Sequence, residues 1–271
     1  MEAAGASAPG SPAEQLLLLP PPAGILAAAA AWGAILLSLW AWPWWDRAFK
    51  AEACDRTLSL IHSVVAAALG LAVEYYEPPK CEVGGGGVWY RGAVQITMGF
   101  LVVDGISMLV VDVWKGWRPV DRLMLLHHSF ILWCLGCGVF FDMAVWFCAT
   151  NLINEGSTPF TLVFWYLNHT GQKDSKLFVV NGVVLVITFF LFRMLFIPYS
   201  YYQFVQLDRC SGRDGLKGWL FVLMTPGYAC IFALNAIWFT KLVRGAAKKL
   251  LGTGRRGSAS SQAAPRYEAV S

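Results

Sequence analysis

Charge is what this chain has least of. Only 14% of its 271 residues are Asp, Glu, Lys or Arg, against 57% that are hydrophobic. Soluble domains carry about 25% charged residues, so there are too few here to dress a water-facing surface. Disorder is excluded for most of the length, because disordered segments are poor in apolar residues. Familiar site patterns are missing too. There is no nucleotide-binding glycine pattern, no basic stripe suited to nucleic acid and no metal-ligand set of good spacing; Gly84 to Gly87 is a glycine run without a preceding strand. No segment shows the period-2 alternation of an outer-membrane barrel. Met1 to Pro22 holds no Lys or Arg, and a secretory signal needs a positive n-region. Residues 1–22 therefore read as a disordered tail.

What is present is long apolar runs. A helix needs about 20 apolar residues to cross the hydrocarbon layer, and seven stretches reach that length. They run from Ala23 to Trp42, Thr57 to Tyr76, Gly92 to Trp114, Leu123 to Phe141, Ala144 to Tyr166, Leu177 to Tyr202 and Leu216 to Val243. Trp42, Trp44, Trp45, Tyr75, Tyr76, Trp89, Tyr90, Trp114 and Trp117 gather at their ends, where amphipathic rings favour the headgroup zone. The fold expected is an all-α polytopic membrane bundle of about seven transmembrane helices, with a very tight turn at Asp142. Residues 1–22 form a lumenal or outside tail and 23–45 the first membrane helix. A bundle domain follows over 46–249, then a disordered basic, Ser-rich cytosolic tail over 250–271.

The few positive charges are placed unevenly. Fifteen of the 21 Lys and Arg residues fall in alternate loops and the C-terminal tail, five in the other loops, and Arg193 lies inside a span. Cytosolic loops collect Lys and Arg, so the N-terminus is expected in the lumen or outside and the C-terminus in the cytosol. Lys241, Arg244, Lys248, Lys249, Arg255 and Arg256 near the C-terminus either set this topology or attract anionic lipid.

Ionisable groups inside a span cost at least about 2.5–3.5 kcal/mol near the bilayer centre, and persist when paired or functional. Here they are His62, Asp104, His127, His128, Glu155 and Arg193, joined by Asn151, Asn154, Thr158 and Asn181. At 1.5 Å per residue, His62, Asp104, His127 and Glu155 fall within roughly 7–17 Å of the cytosolic boundary. Asn151, Glu155 and Thr158 are spaced i, i+4, i+7 and form one helical stripe. His127 and His128 are about 100° apart, so one is expected to serve the site and the other a neighbouring helix. Two readings stay open: a network that fastens helices together, or one shared functional cavity lined by His62, Asp104, Asn151, Glu155, Thr158 and Arg193.

Of seven cysteines, Cys81 and Cys210 lie in loops assigned to the lumen, where a disulfide is permitted; two free thiols are the alternative. Cys134 and Cys137 form a C-x-x-C within a span, which small-residue packing explains better than metal or redox use.

Five segments carry a resemblance: Ser59-Leu60-Ile61-His62, the Asp104 span, Leu126-His127-His128, Asn154 through Phe160, and Asn181 through Arg193 to Tyr199. In this order they resemble the TLC-domain family, shared by translocating-chain-associated proteins, ceramide synthases and a ceroid-lipofuscinosis protein. The similarity covers about Asp46 to Lys249 and is nearest the small TLC-domain-containing transmembrane proteins. It implies a TLC domain over 46–249, residence in the endoplasmic reticulum or another secretory membrane, and an influence on membrane lipid composition. Membrane lipids are the expected partners, with His62, Asp104, Asn151, Glu155, Thr158 and Arg193 as their contacts; nucleic acid is not expected, and self-association stays open. No cofactor is expected. Ceramide synthases begin a longer motif with a His pair, which His127 and His128 match. On that basis the pair is catalytic only if the protein is an acyltransferase with acyl-CoA as co-substrate. The motif's following His-Asp is absent between Cys137 and Ala149, so lipid handling without catalysis is the favoured reading.

Overall fold

A computed structural model describes residues 19–42, 50–76, 88–115, 119–141, 144–210 and 218–250. Every regular element among them is helical. In chain order they are α1 (Pro21–Ala41), α2 (Lys50–Tyr76), α3 (Val88–Lys115), α4 (Pro119–Phe140) and α5 (Val145–Thr150), then a 3-10 segment (Asn151–Ser157) that leads into α6 (Thr158–His169). After these come α7 (Lys176–Phe189), a π-helical segment (Phe190–Leu195), α8 (Phe196–Cys210) and α9 (Gly218–Leu250). Six stretches are long and apolar enough to cross a membrane: Pro21–Ala41, Lys50–Tyr76, Trp89–Val110, Arg122–Phe140, Lys176–Gln206 and Phe221–Lys249. The chain is a multi-pass membrane bundle. The seventh expected span, from Ala144, is a broken rod of α5, the 3-10 segment and α6. Nearly all of the expected tails, and both the Cys81 site and the Cys210 side chain, lie outside the described residues.

Local chemistry sets several boundaries. Pro21 and Pro22 open α1, where a missing N–H costs nothing. Ser175 caps α7, its Oγ accepting from the Phe178 N–H at 3.1 Å. Between α6 and α7, Gly171 adopts φ +74°, and the Gln172 N–H turns back to the Leu167 carbonyl at 2.8 Å, which ends α6. Ala144 takes a left-handed φ of 56°, supplying the tight turn before α5. The π segment precedes Pro198. Proline donates no N–H and crowds the carbonyl four residues back, here that of Met194, and the widened turn accommodates both.

The broken rod packs tightly where it is broken. A Cβ on Gly70 of α2 would stand 2.6 Å from the Ile153 backbone nitrogen in the 3-10 segment. α1 lies along α3 in the same manner: a Cβ on Gly99 would meet Ala28 at 2.5 Å. Close backbone approach at small residues is how helices associate when lipid removes the hydrophobic drive between them. The Trp32 indole N–H, donating to the Ile96 carbonyl at 3.0 Å, ties α1 to α3.

One end of the bundle is sealed by aromatic rings. Phe204 stacks on Phe221 at 5.7 Å, and Phe147 packs on Phe204 at 4.8 Å and on Tyr228 at 5.4 Å. At the other end, Lys249 Nζ near the close of α9 reaches Asp174 Oδ1 in the α6–α7 turn at 2.9 Å. That contact gathers the basic C-terminal part of α9 and a loop of the Lys- and Arg-rich set onto one end of the molecule.

Candidate functional site

Between the two ends the helices enclose a cavity of about 950 Å³, within the range of small-molecule sites. His62, Asp104, His127, His128, Asn151, Glu155, Thr158 and Arg193 all line it. Its floor is Met224 and Tyr228, set on the aromatic seal; its mouth is rimmed by Glu52, Arg56, Lys241, Arg244 and Lys248, and Asp55, with a buried Oδ1, lines it as well. The polar side chains fall on two walls.

On the first wall, Arg193 is held in the π segment and is 8% exposed. Its Nη2 donates to Thr158 Oγ1 at 2.8 Å and to Glu155 Oε2 at 3.3 Å. Nε donates to Ser157 Oγ at 3.2 Å, and Nη1 to Asn235 Oδ1 at 3.5 Å. Thr158 donates its own hydroxyl proton to Glu155 Oε2 at 2.6 Å. Nearby, Ser200 donates to Asn151 Oδ1 at 2.9 Å. The group joins α6, α8, α9 and the two irregular segments into one polar node.

On the second wall, Ser59 of α2 donates to Asp104 Oδ1 of α3 at 3.2 Å, and Asp104 Oδ2 lies 3.1 Å from His128 Nδ1 of α4. This last contact is close but out of line for a directed hydrogen bond. His62 stacks on Phe100 at 3.7 Å, with its Nε2 3.4 Å from Thr97 Oγ1 and Trp32 edge-on at 5.7 Å. His127 is 4% exposed, sits edge-on to Trp238 at 5.1 Å, and has no hydrogen-bond partner at Nδ1.

His128 meets a neighbouring helix through Asp104 of α3, and it shares the cavity with His127. Both line the cavity, because its width touches both flanks of α4. The i, i+4, i+7 stripe is corrected by the geometry. The segment turns as a 3-10 helix, in which residues three apart align. The local bonds accordingly run from Asn154 to Asn151 and from Thr158 to Glu155. Asn181 stands apart from the cavity and fastens α7 to α6 by donating to the Phe160 carbonyl at 2.9 Å. Cys134 and Cys137 are buried free thiols, and no group of three or more His, Cys, Asp or Glu among the described residues is arranged to hold a metal ion.

Comparison with known proteins decides the family. The TLC-domain sequence pattern matches residues 52–244, well over half of the chain. The chain belongs to the TLC-domain family. TLC domain-containing protein 4-A of Xenopus laevis is 28% identical over 205 residues, which cover 72% of this chain and 76% of that protein. TLC domain-containing protein 4 of Xenopus tropicalis is 29% identical over 72% of this chain and 75% of that one. Protein CLN8 of Mus musculus is 24% identical over 56% of this chain and 52% of its own. No solved structure matches the chain significantly.

This TLC domain also holds polar residues, in the cavity lining or directly behind it, that sequence reasoning missed. Asn235 is fully buried and takes up one donor of Arg193. Its signal was plain: an amide in the middle of an otherwise apolar run. Asp55 falls outside the span read from Thr57, whereas α2 starts at Lys50 and carries Asp55 into the cavity lining. Ser157 and Tyr228 join the lining without any signal beyond being polar.

Proposed function

We propose that this TLC-domain protein binds a membrane lipid in its interior cavity and thereby influences membrane lipid composition, without itself catalysing a reaction. The observation that carries the reading is the second wall: a buried imidazole, His127, whose Nδ1 has no protein partner although it lines a cavity of ligand size. A buried polar atom without a partner costs about 1–3 kcal/mol, and a hydroxyl, ester or amide of an entering amphiphile would satisfy it. Apolar side chains such as Leu162, Leu185 and Phe189 offer the remaining lining to an acyl chain. His62, Asp104 and His128 complete the polar contacts; Asn151, Glu155, Thr158 and Arg193 hold the opposite wall in shape. We place the mouth toward the cytosol and the N-terminus in the lumen or outside, on the distribution of Lys and Arg, and assign the protein to the endoplasmic reticulum or a neighbouring secretory membrane. No cofactor enters this reading.

The test is lipid mass spectrometry on protein purified in mild detergent. Wild-type protein retains a defined lipid, and His127→Phe and Asp104→Asn lose most of it while eluting as folded protein. Retention of only the bulk lipid mixture, unchanged in both variants, sinks the proposal.

One observation favours a second reading, an acyltransferase using acyl-CoA. Asp104 lies 3.1 Å from His128 Nδ1 inside the same cavity. A small ring rotation that aligned this N–H with the carboxylate would leave Nε2 as the base for an acceptor hydroxyl or amine. Purified protein would then consume acyl-CoA with a long-chain base as acceptor, and His128→Ala or His127→Ala would abolish turnover. Absence of product across amine and hydroxyl acceptors removes this reading and leaves the first intact.

A further inference from the structure

The mouth of the cavity differs in kind from its interior. Lys241, Arg244 and Lys248 all line it and stand exposed on one face of α9, spaced i, i+3 and i+7 over about 10 Å of helix. Among the described residues none of the three makes an ion pair, whereas the adjacent Lys249 is taken up by Asp174. Across the opening, Arg56 of α2 packs its guanidinium 5.6 Å from the Trp165 ring centroid, and its buried Nε has no hydrogen-bond partner. Glu52 and the more buried Asp55 also line the cavity, so among the described residues four cations face two carboxylates and a positive excess remains. Deeper in, the arginine is different: Arg193 is neutralised by Glu155 and filled by three further acceptors. An anion has nothing to gain at depth and much to gain at the mouth.

We propose that the cavity takes a phosphate-bearing lipid of the adjoining leaflet, with its phosphate held at the mouth by Arg56, Lys241, Arg244 and Lys248 and its acyl chain running inward past His127. The inference rests on the lipid-binding reading and adds the headgroup chemistry. The charge excess among the described residues is the argument for a leaflet lipid over acyl-CoA. It matches one phosphate group of charge −1 to −2. It falls short of the diphosphate plus monophosphate of a coenzyme A thioester. Arg56 supplies the directed hydrogen bond and the α9 cations the field, as both side-chain types do at phosphates.

The experiment is native mass spectrometry of the full chain in dodecylmaltoside with four probes: palmitoyl lysophosphatidic acid, monopalmitoylglycerol, palmitoyl-CoA and inorganic phosphate. The expected result is that lysophosphatidic acid is retained at least ten-fold better than monopalmitoylglycerol, which carries the same chain without phosphate. Inorganic phosphate alone is not retained, because it lacks the chain. K241Q/R244Q/K248Q lowers lysophosphatidic acid retention roughly hundred-fold, from about 1 kcal/mol per charge. Lys249→Gln leaves it unchanged. These cations are exposed on a helix surface, and elution position reports that the triple variant is folded. Equal retention of the two glycerolipids overturns the proposal, as does a triple variant that binds like wild type. Retention of palmitoyl-CoA alone overturns the leaflet source. If monopalmitoylglycerol binds as well as its phosphate counterpart and His127→Phe abolishes both, the lipid cavity stands and only the headgroup assignment falls. If no amphiphile is retained, both fall.

Discussion

The two polar walls of the cavity contain similar chemistry and use it differently. The Arg193 wall turns its donors inward on the protein: four acceptors surround one guanidinium, and Glu155 is bonded by both Arg193 and Thr158. The Asp104 wall is under-filled. Its carboxylate has Ser59 and an out-of-line imidazole, and His127 Nδ1 has nothing. In a low-dielectric interior the first arrangement fixes structure, because removing Arg193 or Glu155 strands a charge and removing a neutral member strands a buried donor. The second leaves His127 Nδ1 without a protein partner, at the place where the proposed lipid would make its polar contact. Ionisable residues within a membrane span are thus not equivalent, and their partners separate fasteners from contacts.

The sharpest way to break the comparison is to remove the guanidinium. Arg193→Met leaves Glu155 buried without its counter-charge and is expected to cost about 3–5 kcal/mol. This is read as loss of folded protein on heating in detergent. Adding Glu155→Leu to that variant restores much of the loss, since no unpaired charge remains. A double variant as unstable as the sum of the singles would show that the pair is not a unit. Asn235→Ala is milder, about 1–3 kcal/mol, because one buried guanidinium donor loses its acceptor. On the opposite wall the expectation reverses. His127→Phe exchanges one planar ring for another beside Trp238 and should change stability by under about 1.5 kcal/mol, while removing the polar contact for lipid. A large stability loss there would make His127 a fastener like Arg193, and the contrast between the walls would disappear.

The helices were legible because a membrane span declares itself by length and hydropathy: each of the six spanning stretches overlaps an apolar run read from the sequence. The rod from Ala144 was harder. Its composition reads as one span, yet the break into a 3-10 turn depends on close packing against Gly70, which no local pattern announces. The π segment is likewise a tertiary accommodation of Pro198 and Arg193. The gathering of His62, Asp104, His127 and Glu155 around one space could be anticipated from their common depth. Their pairing could not: the sequence offers two carboxylates to one arginine, and only the helix arrangement puts Glu155 rather than Asp104 beside Arg193. The cations of α9 read first as a topology signal; their one-sided placement over the opening is a property of the assembled bundle.

Helix α7 allows the most direct test, because it has a face toward the cavity and a face toward lipid. Leu185 and Phe189 line the cavity, whereas Val183 and Ile187 are exposed on the outside. Protein reconstituted with a phospholipid bearing a photoactivatable acyl chain is irradiated, digested and mapped by peptide mass spectrometry. A lipid held inside labels Leu185, Phe189 and other cavity residues such as Leu162, and excess unlabelled lysophosphatidic acid competes that labelling away. Labelling confined to Val183, Ile187 and similar outward positions, with Leu185 and Phe189 untouched, would contradict a lipid-holding interior.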